Sequence, residues 1–145
     1  MSAPTETATP APVPGRITWS LALLALFFTG AGVLHFVVPH SYERIVPPWL
    51  PNAPLLVAVS GAAEVLGGIG VLMARTRRAA GWGLIALLVA VFPANVQMLR
   101  LAMDANAAAP VQAALWVRLP IQALLIWWVW RAAALAGQRY RRPAP

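Results

Sequence analysis

Four long apolar segments constrain this chain more than any other feature. They lie at residues 17–38, 54–74, 79–98 and 110–131. A helix needs about 20 consecutive apolar residues to cross the hydrocarbon core of a bilayer. Helices suit this environment because they satisfy every backbone polar group within one segment. The sequence therefore predicts an all-α fold, a four-helix transmembrane bundle over residues 16–137.

The composition excludes an ordinary water-soluble domain. Of the 145 residues, 60% are hydrophobic and only 10% are charged, whereas soluble domains carry about a quarter charged residues. The chain has no cysteine, so disulfides, thiol catalysis and zinc–thiolate sites are also excluded.

The flanks and loops predict the orientation of the bundle. Residues 1–15 are rich in proline, alanine and threonine and are expected to form a disordered tail, and residues 138–145 form a basic tail. Four spans put eight arginines on one side: Arg16, Arg75, Arg77, Arg78, Arg131, Arg139, Arg141 and Arg142. Only Arg44 and Arg100 fall on the other. The positive-inside rule then makes both termini cytoplasmic. Because topology accounts for these arginines, no nucleic-acid partner is expected.

The fourth segment contains a charge within the bilayer. Only twelve residues separate Arg118 from Arg131, and a helix of that length covers roughly 18 Å of a core about 30 Å thick. We therefore expect Arg118 to lie inside a helix that starts at Pro110, with Pro120 as a candidate kink.

Proline also marks two other positions. The loop at 39–53 contains four prolines, and Ser41 is expected to cap one helical turn through Ile45. Pro93 should kink the third span and free a backbone carbonyl near residue 89.

Polar side chains inside the spans lie at similar depths. Counted from the non-cytoplasmic end, helix rise places Glu64 at roughly 15 Å and Arg118 at roughly 12 Å. The five candidate ligand-binding residues, which come from all four spans, are His35, Glu64, Asn95, Arg118 and Gln122. Polar groups within a bilayer normally face the bundle interior. We predict one cavity lined by all five and open toward the outer face or outer leaflet, with Glu64 paired with Arg118 and holding it from behind.

A purely structural interpretation of the same residues stays open. Glu64 and Arg118 could neutralise each other and fix the helix register, while the amides act as interhelical hydrogen-bond donors and acceptors. His35 could transfer protons or be a packed, hydrogen-bonded histidine. A bis-histidine haem is not favoured because His40 lies in the loop beyond Pro39, and a carboxylate-bridged metal pair needs more acids than Glu64 supplies. No metal site is predicted.

Several segments resemble the DoxX-like family of small bacterial integral membrane proteins. The resemblance covers residues 29–128 and is carried, in family order, by GAGVLHFVVP, RIVPPWLP, SGAAEVLGGIGVL, RTRRAAGWGLIALLVAVFPANVQM and RLPIQALLIWW. It implies a four-helix bundle in the bacterial plasma membrane, and the family pattern falls on the five candidate residues. The family name comes from a thiosulfate:quinone oxidoreductase, and some relatives resemble scaffolds for redox enzymes.

Three functions compete. The first is an accessory or scaffold subunit of a membrane redox complex, which would bind a quinone, lipid or small ligand and dock a redox enzyme or another membrane subunit. The second is a small membrane enzyme with His35 and Glu64 as acid and base groups. The third is a transporter or channel, which the apolar inner half of the bundle disfavours. No cofactor is evident in the sequence, and a quinone is the one candidate.

Overall fold

The computed structural model describes residues 17–134, and both predicted tails lie outside them. The described chain forms helices and loops: α1 (Trp19–Val37), α2 (Pro39–Glu43), α3 (Ala53–Gly70), α4 (Arg77–Asp104) and α5 (Ala109–Val129), which continues as a π-helical turn (Trp130–Ala134). Four of these helices are long and apolar enough to cross a membrane. The chain is therefore a multi-pass membrane protein built from an all-α bundle.

Local sequence signals set the helix starts. The Thr18 side chain accepts a hydrogen bond from the backbone N–H of Leu21 at the start of α1, and Asn52 does the same for Leu55 at the start of α3. Both side chains occupy the N-cap position, where they satisfy a backbone donor that has no partner in the helix. Pro110 lies in the first turn of α5, as predicted.

Two helix ends differ from the predicted spans. Helix α3 ends at Gly70 rather than at residue 74, because its last turns are rich in glycine, which is a poor helix former. Helix α4 continues to Asp104 rather than stopping at residue 98. The predicted span ends at residue 98 because the charged Arg100 follows, whereas the helical backbone hydrogen bonds continue beyond the apolar segment.

Arg77, the first residue of α4, caps the carboxyl-terminal end of α3 with its side chain. Its Nε donates to the carbonyl of Val71 at 2.9 Å and its Nη2 donates to the carbonyl of Leu72 at 3.2 Å. The side chain is buried. Helix ends leave carbonyls without intrahelical partners, so Arg77 has a structural function in addition to its contribution to the basic loop.

The prolines act differently from the prediction at one position. The short helix α2 starts at Pro39, and no side chain caps it, so the prediction of a Ser41-capped turn through Ile45 is wrong. Proline suits the first turn of a helix because its missing N–H is not needed there. Helix α4 continues through Pro93, and α5 continues through Pro120.

The main hydrophobic core lies toward one end of the bundle. Helix α1 packs chiefly against α3, and α4 packs against α5 and the π-helical turn. The two pairs meet near the 71–76 loop, where Gly67 contacts Leu84 and Gly70 contacts Ala80. The core residues are Leu21, Leu24, Ala25, Phe28, Val71, Leu84, Leu88, Val129 and Ala133. The opposite end, which carries the 38–52 loop, is therefore free to hold the polar residues.

Glycines bring α1 and α3 into close contact. A Cβ added to Gly32 would lie 2.6 Å from the carbonyl oxygen of Gly61, and a Cβ added to Gly61 would lie 2.6 Å from the Cβ of His35. Small residues at helix crossings are the usual packing device in membranes. This crossing positions His35 beside the helix that carries Glu64.

Candidate functional site

A cavity of about 690 Å³ lies between the α1–α3 pair and the α4–α5 pair. It opens toward the end of the bundle that carries the 38–52 loop, and the core residues Phe28 and Leu88 form part of its lining. All five predicted site residues line it: His35, Glu64, Asn95, Arg118 and Gln122. The structure thus brings these side chains together, while their binding of a ligand stays a prediction.

One wall carries the histidine–glutamate cluster, formed by His35, Tyr42 and Glu64. His35 Nδ1 lies 3.0 Å from the carbonyl oxygen of Ala31 and 3.5 Å from Glu64 Oε2. Since a carbonyl only accepts, Nδ1 carries the hydrogen and donates it to Ala31. Glu64 is 9% exposed, and its Oε2 has no hydrogen-bond partner among residues 17–134. A buried oxygen without a partner is costly, so this atom marks a place where a donor is missing.

Tyr42 completes this cluster from the loop. Its ring stacks on the imidazole of His35, with centroids 3.9 Å apart and planes at 22°. Burial raises the pKa of Tyr42 above its ordinary value, Glu64 raises it further, and Arg118 opposes them. The phenol therefore stays protonated near neutral pH and presents a hydroxyl close to the cavity.

The opposite wall carries the arginine–amide cluster, formed by Asn95, Arg118 and Gln122. Arg118 Nε donates to Asn95 Oδ1 at 3.0 Å, and Asn95 Nδ2 donates to Gln122 Oε1 at 2.8 Å. Gln122 Nε2 in turn donates to the carbonyl of Leu88. Gln122 is 4% exposed, whereas Arg118 is exposed. The chain of bonds runs from the guanidinium into the bundle and holds α5 against α4.

The predicted pair between Glu64 and Arg118 is wrong. Within residues 17–134, no nitrogen of Arg118 lies within 4.0 Å of a Glu64 oxygen, and Glu64 instead lies beside His35. Helix rise gave both residues a similar depth, but depth is only one coordinate. Helix α5 packs on α4 rather than on α3, so the two charges lie on different walls of the cavity.

The hydrogen-bonding function predicted for the amides is confirmed at Asn95 and Gln122. The contact to the backbone goes to the carbonyl of Leu88, next to the residue-89 carbonyl that Pro93 was expected to free. Interhelical amide bonds of this kind typically contribute about 0.6 kcal/mol each in membranes.

Sequence reasoning missed the part of the site that lies in the loop. Tyr42, Ile45, Val46, Pro47 and Leu50 all line the cavity. The signal available was an amphipathic tyrosine in a loop otherwise rich in proline. It was not sufficient, because only the fold brings the loop back over the polar groups of the spans.

Apolar side chains form most of the cavity wall. Phe27 on α1 and Ile121 on α5 line the cavity and are 46% and 44% exposed. Both belong to helices apolar enough to span a membrane. The cavity wall therefore includes large, accessible apolar side chains from these helices.

The described residues offer little for a metal ion. Among residues 17–134, no group of three or more histidine, aspartate and glutamate side chains is placed to hold one. The cavity instead combines two polar clusters on opposite walls with apolar surface between them, an arrangement that suits an amphipathic organic molecule.

Comparison with known proteins gives a family but no activity. No curated protein and no solved structure matches the chain. Residues 24–133 match a family described as a domain of unknown function, DUF8561. Because this match covers most of the 145 residues, the chain belongs to the DUF8561 family.

Proposed function

We propose that this protein binds a membrane-soluble amphipathic molecule, such as a quinone or a lipid, in the cavity between its helix pairs. One observation carries the proposal: a cavity of about 690 Å³ holds both polar clusters and is walled mainly by apolar side chains. Ligand sites are typically concave and apolar, with a few polar groups that orient the ligand. The polar clusters would bind the headgroup, and the apolar wall would bind the tail.

Cysteine labelling tests this proposal directly, because the chain contains no native cysteine. Ala114 lines the cavity, whereas the neighbouring Ala113 does not. In detergent, a maleimide should label both Ala114→Cys and Ala113→Cys. A bound short-chain quinone or phospholipid should slow the labelling of Ala114→Cys alone. If no amphiphile protects Ala114→Cys, the protein does not bind such molecules in this cavity.

The proposed orientation places the cavity toward the outer face of a bacterial plasma membrane, with both termini in the cytoplasm. Arginine distribution supports it, since the side assigned to the cytoplasm carries eight arginines and the other carries two. Alkaline phosphatase fused after Pro145 should be inactive, and a cytoplasmic reporter at the same position should be active. The reverse pattern would invert the topology.

The resemblance to the DoxX-like family extends the proposal to a biological context. We infer an accessory or scaffold subunit that presents its ligand to a membrane-associated redox enzyme. Affinity purification of the tagged protein after reversible crosslinking in intact cells should recover a redox enzyme. The same purification from cells expressing an unrelated four-helix membrane protein provides the control, and equal recovery of that enzyme from both would contradict the redox context.

A second candidate function is supported by the 3.5 Å approach of His35 Nδ1 to Glu64 Oε2. As a small membrane enzyme, the protein would use these groups as acid and base on a bound substrate, because both line the cavity. Conversion of a bound ligand by the wild type but not by Glu64→Gln would favour this function. Binding that is retained without turnover in both proteins would favour the accessory subunit.

A further inference from the structure

Each polar cluster of the cavity keeps hydrogen-bonding groups that have no partner among the described residues: an acceptor on one wall and donors on the other. On one wall, Glu64 is nine-tenths buried, and its Oε2 has no hydrogen-bond partner among the described residues. The nearest donor, His35 Nδ1, lies 3.5 Å away and is committed to the carbonyl of Ala31. A buried carboxylate oxygen in this position needs a donor, and a positively charged donor gives the stronger hydrogen bond.

On the other wall, Arg118 is oriented but not saturated. Its one hydrogen bond within residues 17–134 uses Nε, which donates to Asn95. Asn95 is itself held by Gln122, so the guanidinium is fixed at the cavity wall. The two terminal NH₂ groups remain available, and their planar geometry matches the oxygens of a phosphate or carboxylate.

These charges do not satisfy each other, because Glu64 and Arg118 are more than 4.0 Å apart on different walls. A ligand that bears only an anion would use Arg118 and leave Glu64 Oε2 without a donor. A ligand that bears only a cation would leave the guanidinium unused. A molecule carrying both an anionic group and an ammonium group satisfies both walls of the one cavity at once.

The apolar wall specifies the rest of the ligand. Phe27 and Ile121 line the cavity, are about half exposed and lie on helices apolar enough to span a membrane. An acyl chain could follow these side chains from the headgroup to the bilayer. We propose that the cavity binds a zwitterionic phospholipid of the phosphoethanolamine type, with its phosphate at Arg118 and its ammonium at Glu64.

This inference rests on the proposed function, since it specifies the amphiphile that the cavity takes. The test uses the purified full-length protein in dodecyl maltoside. Thermal unfolding is followed by tryptophan fluorescence, for which the seven tryptophans supply the signal. The probes are dihexanoyl phosphatidylethanolamine, the corresponding phosphatidylcholine and phosphatidylglycerol, and free phosphoethanolamine. They share a phosphate and differ in the ammonium group or in the tails.

The wild type should bind phosphatidylethanolamine about tenfold more tightly than phosphatidylglycerol, a difference of about 1.4 kcal/mol. Phosphatidylcholine should be weaker than phosphatidylethanolamine, because a trimethylated ammonium has no N–H to donate to Glu64. Free phosphoethanolamine should bind far more weakly than the lipid, since it lacks the tails. If it binds as tightly as the lipid, the ligand is a soluble zwitterion and the assignment to a phospholipid is overturned.

Single substitutions test which protein charge binds the ammonium and which binds the phosphate. Glu64→Gln should abolish the preference for phosphatidylethanolamine over phosphatidylglycerol, whereas Glu43→Gln should keep it, because Glu43 pairs with His40 away from the cavity lining. Arg118→Gln should weaken all three phospholipids by tenfold or more, whereas Arg100→Gln, on the exposed end of α4, should not.

The outcomes separate this inference from the proposed function. Equal binding of phosphatidylethanolamine and phosphatidylglycerol by the wild type overturns the zwitterion assignment but leaves amphiphile binding intact. A wild type that binds none of the lipids and no quinone overturns both. If a variant fails to fold, the lipid series on the wild type still tests the zwitterion assignment.

Discussion

The crossing of α1 and α3 can be tested by adding a single methyl group. Gly61 on α3 faces Gly32 and His35 on α1, and a Cβ at position 61 would lie 2.6 Å from His35 Cβ and 3.0 Å from the Gly32 carbonyl oxygen. Favourable carbon–carbon contacts lie at about 3.5–4.0 Å. Neither obstructing atom is the mobile end of a side chain, so Gly61→Ala requires the two helices to move apart by roughly 1 Å.

The expected magnitude is a difference of two terms. Overpacking of this kind costs about 1–3 kcal/mol, and the better helix propensity of alanine returns about 0.8–1.0 kcal/mol. Gly61→Ala should therefore lose up to about 2 kcal/mol of unfolding free energy. Gly30→Ala on α1 is the matched control, because a Cβ there has no heavy atom within 4 Å. It should be neutral or more stable by up to about 1 kcal/mol.

Unfolding in mixed detergent micelles with increasing SDS, followed by circular dichroism, measures both variants. Gly61→Ala should also weaken the proposed ligand binding, because it moves His35 away from Glu64 across a gap that is now 3.5 Å. If Gly61→Ala is as stable as Gly30→Ala, the helices do not cross at these glycines. The positioning of His35 by that crossing would then be wrong.

Three further predictions concern other contacts. A double-mutant cycle of Arg118→Met and Asn95→Ala should give a coupling energy of about 0.6–1.7 kcal/mol, and strict additivity would contradict their 3.0 Å hydrogen bond. Arg77→Met should lose about 1–3 kcal/mol of unfolding free energy because it removes the cap of α3. Arg78→Met, at an exposed position, should change stability by less than about 0.5 kcal/mol. Equal losses in the two variants would refute the capping function of Arg77. Because burial raises the pKa of Tyr42 above its ordinary value of 10.0, its phenolate absorbance, taken as wild type minus Tyr42→Phe, should reach its midpoint above pH 10.0. The unfolded phenol ionises first, so the wild type should lose more stability than Tyr42→Phe as the pH rises above 10.0, and a midpoint below pH 10.0 would contradict the partly buried position of the ring.

Part of the candidate site could be predicted because polar residues inside apolar spans are conspicuous. His35, Glu64 and Arg118 stand out in segments that otherwise lack charge, and the cost of exposing them to lipid directs them inward. That argument brings residues to the interior of a bundle, and all five candidates line one cavity. It does not choose partners, and the expected pair of Glu64 with Arg118 was the error that resulted.

Tyr42 in the loop and Arg77 at the end of α3 also have contacts that the sequence does not predict. Nothing in the sequence near Tyr42 indicates that its ring stacks on His35, because the return of the loop depends on how the spans pack. Likewise, the sequence presents Arg77 as one charge in a basic loop, and only the fold shows that it is buried against the carbonyls of Val71 and Leu72 at the end of α3.

The number of apolar segments, the all-α class and the set of polar residues within the bundle follow from the amino-acid sequence, because these depend on the length and polarity of continuous segments. The contacts of Arg118 with Asn95 and of Glu64 with His35 follow instead from the packing of the helices. Helix rise fixes the depth of a residue along its axis. Its neighbours depend also on helix rotation and on which helices touch, and close contacts such as Gly32 with Gly61 set both.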